Sequence, residues 1–265
     1  MAIDEKTVKQ EIETGQNISV NIRRLASTGK ESVKYILHEI LKKHNAVEHT
    51  DDIFVTVTEL VFNAIKANYK YIFLLDTLEE HLQKSKAPHN IRQVMANKTL
   101  YNGYLKNINI QEINEKVKFT FKNEEEAGKL IYKAEAEGRT LAEDEKADVE
   151  KKLVMMKRAK ELGIKVYMNF NFEQENVIID IVNDSPISEE DLQRIEEKRQ
   201  SFRKYYNEGR EHEFYIENLD TAESAGLGIA MIDARLYRLN IDPLNHFNIF
   251  GIGNKTCLTL TYPIH

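Results

Sequence analysis

The stretch TVTELVFNAIKANYK, from Thr56 to Lys70, sets Glu59, Asn63, Lys66 and Lys70 at i, i+4, i+7 and i+11. At 3.6 residues per turn, that spacing lays a carboxylate, an amide and two amines along one stripe of a helix. Leu60, Val61, Ala64, Ile65 and Ala67 fill the apolar positions around it. A polar stripe on a mostly apolar helix is either its solvated edge or the wall of a site. The segments on either side decide between the two.

The chain has 265 residues, 42% apolar and 30% charged, which is the composition of a globular protein with a sizeable core. A formal net charge of −6 gives no overall pull toward nucleic acid. The single cysteine, Cys257, rules out an intramolecular disulfide framework and any multi-cysteine metal site, so the reading is a reducing, cytoplasmic setting. The opening MAIDEKTVKQEIETGQ (1–16) is charged, with no apolar core of a signal peptide. No apolar run reaches the roughly 20 residues that span a bilayer, so membrane insertion is not expected.

Upstream of the opening helix, NISVNIRRLA (17–26) alternates apolar and polar through Ile18, Val20 and Ile22 and reads as a strand. STGKESVKYILHEILKKHNA (27–46) carries Val33, Ile36, Leu37, Ile40 and Leu41 at helical spacing. The opening helix itself extends over 48–82, with Thr50, Asp51 or Asp52 available at its start. Residues from about 80 to 160 are charge-rich and helical in propensity, interrupted near Pro88 and punctuated by Gly128 and Gly138, with Gly163 ending the last helix.

Two strands follow, IKVYMNFNFEQ (164–174) and ENVIIDIVND (175–184), joined by a polar turn. The first alternates Val166, Met168, Phe170 and Phe172 on one face. A helix over SPISEEDLQRIEEKRQSFRKYY (185–206), a polar stretch and a glycine-led helix, SAGLGIAMIDARLYRLN (224–240), come next. The final HFNIFGIGNKTCLTLTYPIH (246–265) sets two apolar runs around GIGN, as in a hairpin. This order predicts an α+β sandwich, with helices on one face of a mixed or antiparallel sheet.

Four pieces carry possible chemistry. They are the Glu59–Asn63–Lys66 seam, the strand-to-turn DIVNDSPISEEDL, the glycine turn of SAGLGIAMIDARL and the polar-led strand NKTCLTLTYPI. Taken singly, each has a plain structural reading: a solvated helix edge, a turn, a helix start and β-propensity.

In this order they resemble the GHKL superfamily, the ATPase domains of gyrase, Hsp90, histidine kinases and MutL. ELVFNAIKA is similar to its N box, VNDSPISEEDLQRI to its G1 box, SAGLGIAMIDARL to its G2 box, and NKTCLTLTYPI to its closing strand. The strand–helix lead-in is nearest the stand-alone anti-sigma-factor serine kinases. The resemblance covers residues 17–70 and 164–264. It implies a Bergerat-type two-layer α/β sandwich with a mixed, mostly antiparallel sheet, residues 1–265 forming one histidine-kinase-like ATPase domain and 72–160 a helical insertion within it. It also implies ATP or ADP with Mg²⁺ as ligands.

By position, Asn63 would give its side-chain oxygen to Mg²⁺ and Glu59 would accept a proton from an attacking water or hydroxyl. Lys66 would contact a phosphate. Gly226, Leu227 and Gly228 would bring backbone N–H groups to the phosphates, and Thr256 would sit at the base of the adenine pocket. Asn183 stands where the family has the aspartate that accepts from the adenine amino group, with Asp184 an alternative acceptor one residue on. Ser185 replaces the first G1 glycine, the second is absent, and Ser224 replaces the first glycine of the G2 box.

Two functions follow from this. One is a signalling ATPase or protein kinase acting on a separate regulatory or substrate protein, with room for a homodimer. The other is a scaffold that has kept the fold and lost catalysis or nucleotide binding, with 72–160 as the partner surface. Phosphotransfer at His38 is not expected, because a two-helix dimerisation hairpin does not fit before it. His44, His49, His81 and His89 read as surface residues, Cys257 as packing, and RQSFRKYY (199–206) as core plus a solvated face.

Overall fold

The computed structural model describes residues 4–86, 88–173, 175–219 and 227–264. They form two compact units, one of Met1–Ala64 with Lys165–His265, the other of Ile65–Ile164. Among the described residues no helix is long and apolar enough to cross a membrane.

The first unit opens with helix α1 (Glu5–Thr14), which the sequence reading left unassigned. Asp4 caps it by accepting from Lys6 N–H, and Gly15 ends it in the left-handed region at φ 69°. Strand β1 (Ile18–Ile22) and helix α2 (Ser27–Lys43) follow where the periodicity put them. After a 3₁₀ turn (Val47–His49) comes α3 (Thr50–Lys84), whose first turns belong to this unit and whose remainder belongs to the second. Asp51 and Asp52 sit in its first turn, where carboxylates complement the helix dipole.

In the second unit α3 is followed by α4 (Ile91–Ala96), α5 (Lys98–Leu105), α6 (Ile110–Ala136), α7 (Glu143–Lys152) and α8 (Val154–Glu161). Leu74, Leu78 and Ile113 make one buried cluster, and Ala127, Val149 and Leu153 another. Gly128 does not punctuate the segment. It lies inside α6, carried through by the buried Ile113, Val117, Glu124, Ala127 and Ala134. Gly138 and Gly163 do end helices, both at positive φ. At the second of these, Ile164 N–H closes back on Ala159 O at 2.8 Å.

Back in the first unit come β2 (Val166–Phe172), β3 (Asn176–Asn183), α9 (Glu189–Asn207), α10 (Glu211–Leu219), α11 (Leu227–Arg238), α12 (Pro243–His246), β4 (Phe247–Ile252) and β5 (Lys255–Pro263). Part of the polar stretch after α9 is therefore helix. Phe214 on α10 is buried with Phe202, Ala230 and Ala234, which also makes RQSFRKYY partly core.

The strands form one sheet in the order β1-β2-β3-β5-β4. Every pairing is antiparallel, so the sheet is not mixed. Two of the pairings are hairpins: β2 runs straight on to β3, and Gly253, at φ 58°, turns β4 back into β5.

One face of the sheet is apolar. Val20, Met168, Ile181 and Leu258 form one buried row across four strands, and Phe170, Ile179 and Leu260 the next. Removing such side chains from water stabilises by about 1.5–3 kcal/mol each, so a slip of one residue, which turns all of them outward, is excluded. The opposite face carries a polar ladder: Ser19 Oγ donates to Asn169 Oδ1 at 2.8 Å, Asn171 Nδ2 to Asp180 Oδ2 at 2.9 Å, and Thr259 Oγ1 to Asp180 Oδ1 at 2.7 Å. The architecture is thus α+β with one buried and one polar sheet face.

Candidate functional site

Helix α3 turns Val57, Leu60, Val61 and Ala64 into the core, each no more than 1% exposed. Glu59 and Asn63, one turn apart, are left half-buried at the edge of that apolar face, whereas Lys66 and Lys70 are exposed. The stripe is therefore divided. Lys66 belongs to the second unit, where its ammonium lies 5.9 Å from the centre of the Phe121 ring.

The first turn of α11 reaches Glu59 and Asn63. A β-carbon added at Gly228 would stand 3.5 Å from Asn63 Nδ2 and 3.6 Å from Glu59 Oε1. The glycine leaves a cradle one carbon wide between a helix start and a carboxylate–carboxamide pair. Leu227, the first residue of α11, is half-buried against the Phe202 cluster. Gly226 and Ser224 lie outside the described residues.

A second group sits at the end of β3. The antiparallel ladder sets Asn183 directly opposite Thr256, and both are buried, as is Ser185. Asn183 Nδ2 donates to Ser185 Oγ at 2.5 Å and leans toward Ser185 O at 3.4 Å. Thr256 Oγ1 donates to the same carbonyl at 2.8 Å. Ser185 O can only accept, so it fixes which end of the Asn183 carboxamide faces it. Asn183 Oδ1 accepts no hydrogen bond from a described side chain.

Asp184 points its charge elsewhere. Its Oδ1 meets Lys255 Nζ at 2.7 Å and its Oδ2 accepts from Lys165 N–H at 3.1 Å. The hydrogen bond from Lys255 Nζ to Asp184 holds the Lys255 ammonium above its ordinary range. Of the two acceptors the sequence offered, Asp184 is committed to ion pairing, and Asn183 is bonded through Nδ2 to Ser185. Lys255 went unremarked in the sequence, although its place just after the Gly253 turn is where a side chain can reach back along β3.

The predicted residues thus fall into two groups, Glu59–Asn63–Gly228 and Asn183–Thr256 with Ser185. No hydrogen bond or ion pair between described residues joins them. Among the described residues no group of three or more His, Cys, Asp or Glu could hold a metal ion.

Of the histidines read as surface residues, His81 is exposed, whereas His44, His49 and His89 are half-buried. His49 Nδ1 is hydrogen-bonded to the Tyr262 hydroxyl, with the rings edge to face. Burial pushes the Tyr262 phenol up to about 12, with a smaller push from the Glu48 charge. Cys257 is buried as expected, and burial likewise raises its thiol. No family model, curated protein or solved structure matches the chain.

Proposed function

We propose that the unit of Met1–Ala64 and Lys165–His265 binds ATP or ADP with Mg²⁺ and works in signalling, as a kinase or ATPase acting on a separate protein. The observation that carries this reading is the Gly228 cradle against Asn63 and Glu59. A phosphate chain needs backbone N–H donors it can approach closely, and a hard cation beside it needs oxygen ligands. A glycine in the first turn of α11, facing a carboxamide and a carboxylate, supplies both kinds of group in one place.

Mg²⁺, when bound, neutralises charge on the phosphates and orients them. Asn63 would hold it through Oδ1, an uncharged oxygen of the kind a hard cation takes. Glu59, one turn earlier on the same face, would take the proton of the attacking water or hydroxyl. At the other end, Asn183 would accept from an exocyclic amine through Oδ1, held in place by its bond to Ser185, and Thr256 would support the same corner. Gly226, outside the described residues, remains part of the reading by sequence position alone.

Titration calorimetry with ADP, with and without Mg²⁺, tests it. Mg-dependent binding that is lost in Asn63→Ala is the expected result. Unchanged binding in that variant would remove the seam from the site.

A second reading is favoured by one observation. Asn183 and Thr256 already bond to Ser185 in a buried network. If that network is the end state, the unit is a scaffold that keeps the fold without nucleotide, and the helical unit Ile65–Ile164 carries the partner surface. Absence of any nucleotide-dependent thermal shift would select this reading.

A further inference from the structure

Helix α11 is held in the first unit by contacts of two characters, apolar and directional; Ile229, Ile232 and Leu236 are buried on the apolar side. Ala230 and Ala234 pack under Phe202 and Phe214. Apolar burial of this kind is non-directional, so it specifies the angle of a helix about its axis less sharply than a directional bond does. The other kind of contact is directional. Arg199 on α9 donates from Nε to Asp233 Oδ2 at 2.9 Å and from Nη2 to Asp233 Oδ1 at 3.1 Å, with a further bond from Nη2 to Pro243 O at 2.8 Å. Its guanidinium lies 5.0 Å from the centre of the Phe247 ring. The two charged side chains are 5% and 2% exposed.

A buried ion pair is a poor way to gain stability, because desolvating both charges offsets their attraction, and apolar replacements of similar volume are commonly neutral or better. What the guanidinium fork supplies is geometry: two parallel bonds fix distance and rotation together. Asp233 lies five residues beyond Gly228 on the same helix, about 7.5 Å along its axis at 1.5 Å per residue. Whatever fixes Asp233 along and around that axis also fixes Gly228.

We propose that Arg199 and Asp233 are positioning residues: their bidentate pair sets the register of α11 and so holds Gly228 against Asn63 and Glu59. The consequence for ligand rests on the nucleotide reading above; the register does not, and is read without ligand.

The test uses the full chain carrying R199M and D233L together, which removes both charges and keeps apolar volume. Proton NMR of the ligand-free protein reports the nuclear Overhauser contact between the Gly228 α-protons and the Asn63 carboxamide, and calorimetry reports Mg-ADP affinity. The expected result is a cooperatively folded protein in which that contact is lost or displaced and affinity falls tenfold or more. R199K, which keeps the charge without the fork, gives an intermediate loss, and it carries the same readouts should the apolar pair fail to fold. An unchanged Gly228–Asn63 contact in either folded variant overturns the proposal. A parent protein that binds no Mg-ADP, with the contact still lost in the variant, overturns the nucleotide reading and upholds the register.

Discussion

Gly228 and Asn63 meet across the edge of the α3 core face, with room for one carbon between them: a β-carbon on the glycine would lie 3.5 Å from Asn63 Nδ2. That is ordinary van der Waals contact, so alanine fits without moving its neighbours. Because glycine inside a helix costs about 0.5–1 kcal/mol relative to alanine, Gly228→Ala is expected to be as stable as the parent or up to about 1 kcal/mol more so. It also fills the cradle, and Mg-ADP affinity is expected to fall tenfold or more. Denaturant unfolding and calorimetry on one preparation separate the two effects. A variant that binds as well as the parent would show that the cradle is only packing.

The aspartate that the resembled family carries at the adenine corner would not be accepted quietly here. Asn183 is 1% exposed and donates toward Ser185, whose carbonyl cannot donate back. Asn183→Asp removes that donor and is expected to cost about 1–3 kcal/mol. Burial raises the new carboxyl above its unfolded value of about 4. The folded state then holds its proton more tightly than the unfolded state does, so the loss is smallest below that value and grows as pH rises. Thermal unfolding from pH 4 to 8 should show the gap to the parent widening; a gap independent of pH would contradict the geometry.

Tyr262 sets an alkaline limit. Burial holds its phenol up to about 12 in the fold, against about 10 in an unfolded chain. The raised value means that this contribution is fully present below the unfolded value and is lost as pH climbs through 10 toward 12. Ultraviolet difference titration should show a late tyrosine ionisation that is absent in Tyr262→Phe. The stability of that variant should fall less steeply over the same range. Ionisation of all tyrosines together near 10 in the folded protein would refute it.

In the helical unit, the Tyr69 hydroxyl donates to Glu124 Oε1 at 2.8 Å, with the residues 1% and 5% exposed. Tyr69→Phe takes one donor from the buried Glu124 side chain, and a loss of about 1 kcal/mol is expected. Urea unfolding measures it, and a loss below about 0.5 kcal/mol, the range of changes that touch no such feature, would mean the bond is dispensable.

Periodicity made much of this fold legible. Val166, Met168 and Phe170 announce β2 by alternation, and Val57, Leu60, Val61 and Ala64 announce the buried face of α3. Helix α1 escaped notice because only Val8 and Ile12 anchor it, too few to make a stripe in a charged segment. Helix α10 is hidden for a similar reason, with Phe214 its one buried side chain among those described. Strand direction is not written in alternation, so a mixed sheet stayed open until the ladders fixed every pair as antiparallel. At the site, the Glu59–Asn63 spacing was visible because it is local to one helix. The Asn183–Thr256 register and the Arg199–Asp233 pair join segments far apart in sequence, and only the folded chain brings them together.

The account turns on whether the first turn of α11 at Gly228, beside Asn63 and Glu59, binds a phosphate chain. Titration calorimetry of the parent and of Asn63→Ala, with ADP and a non-hydrolysable ATP analogue, each with and without Mg²⁺, asks this directly. Micromolar, Mg-dependent binding in the parent that disappears in Asn63→Ala is the predicted result. No heat up to millimolar nucleotide, or equal binding by both proteins, would contradict it.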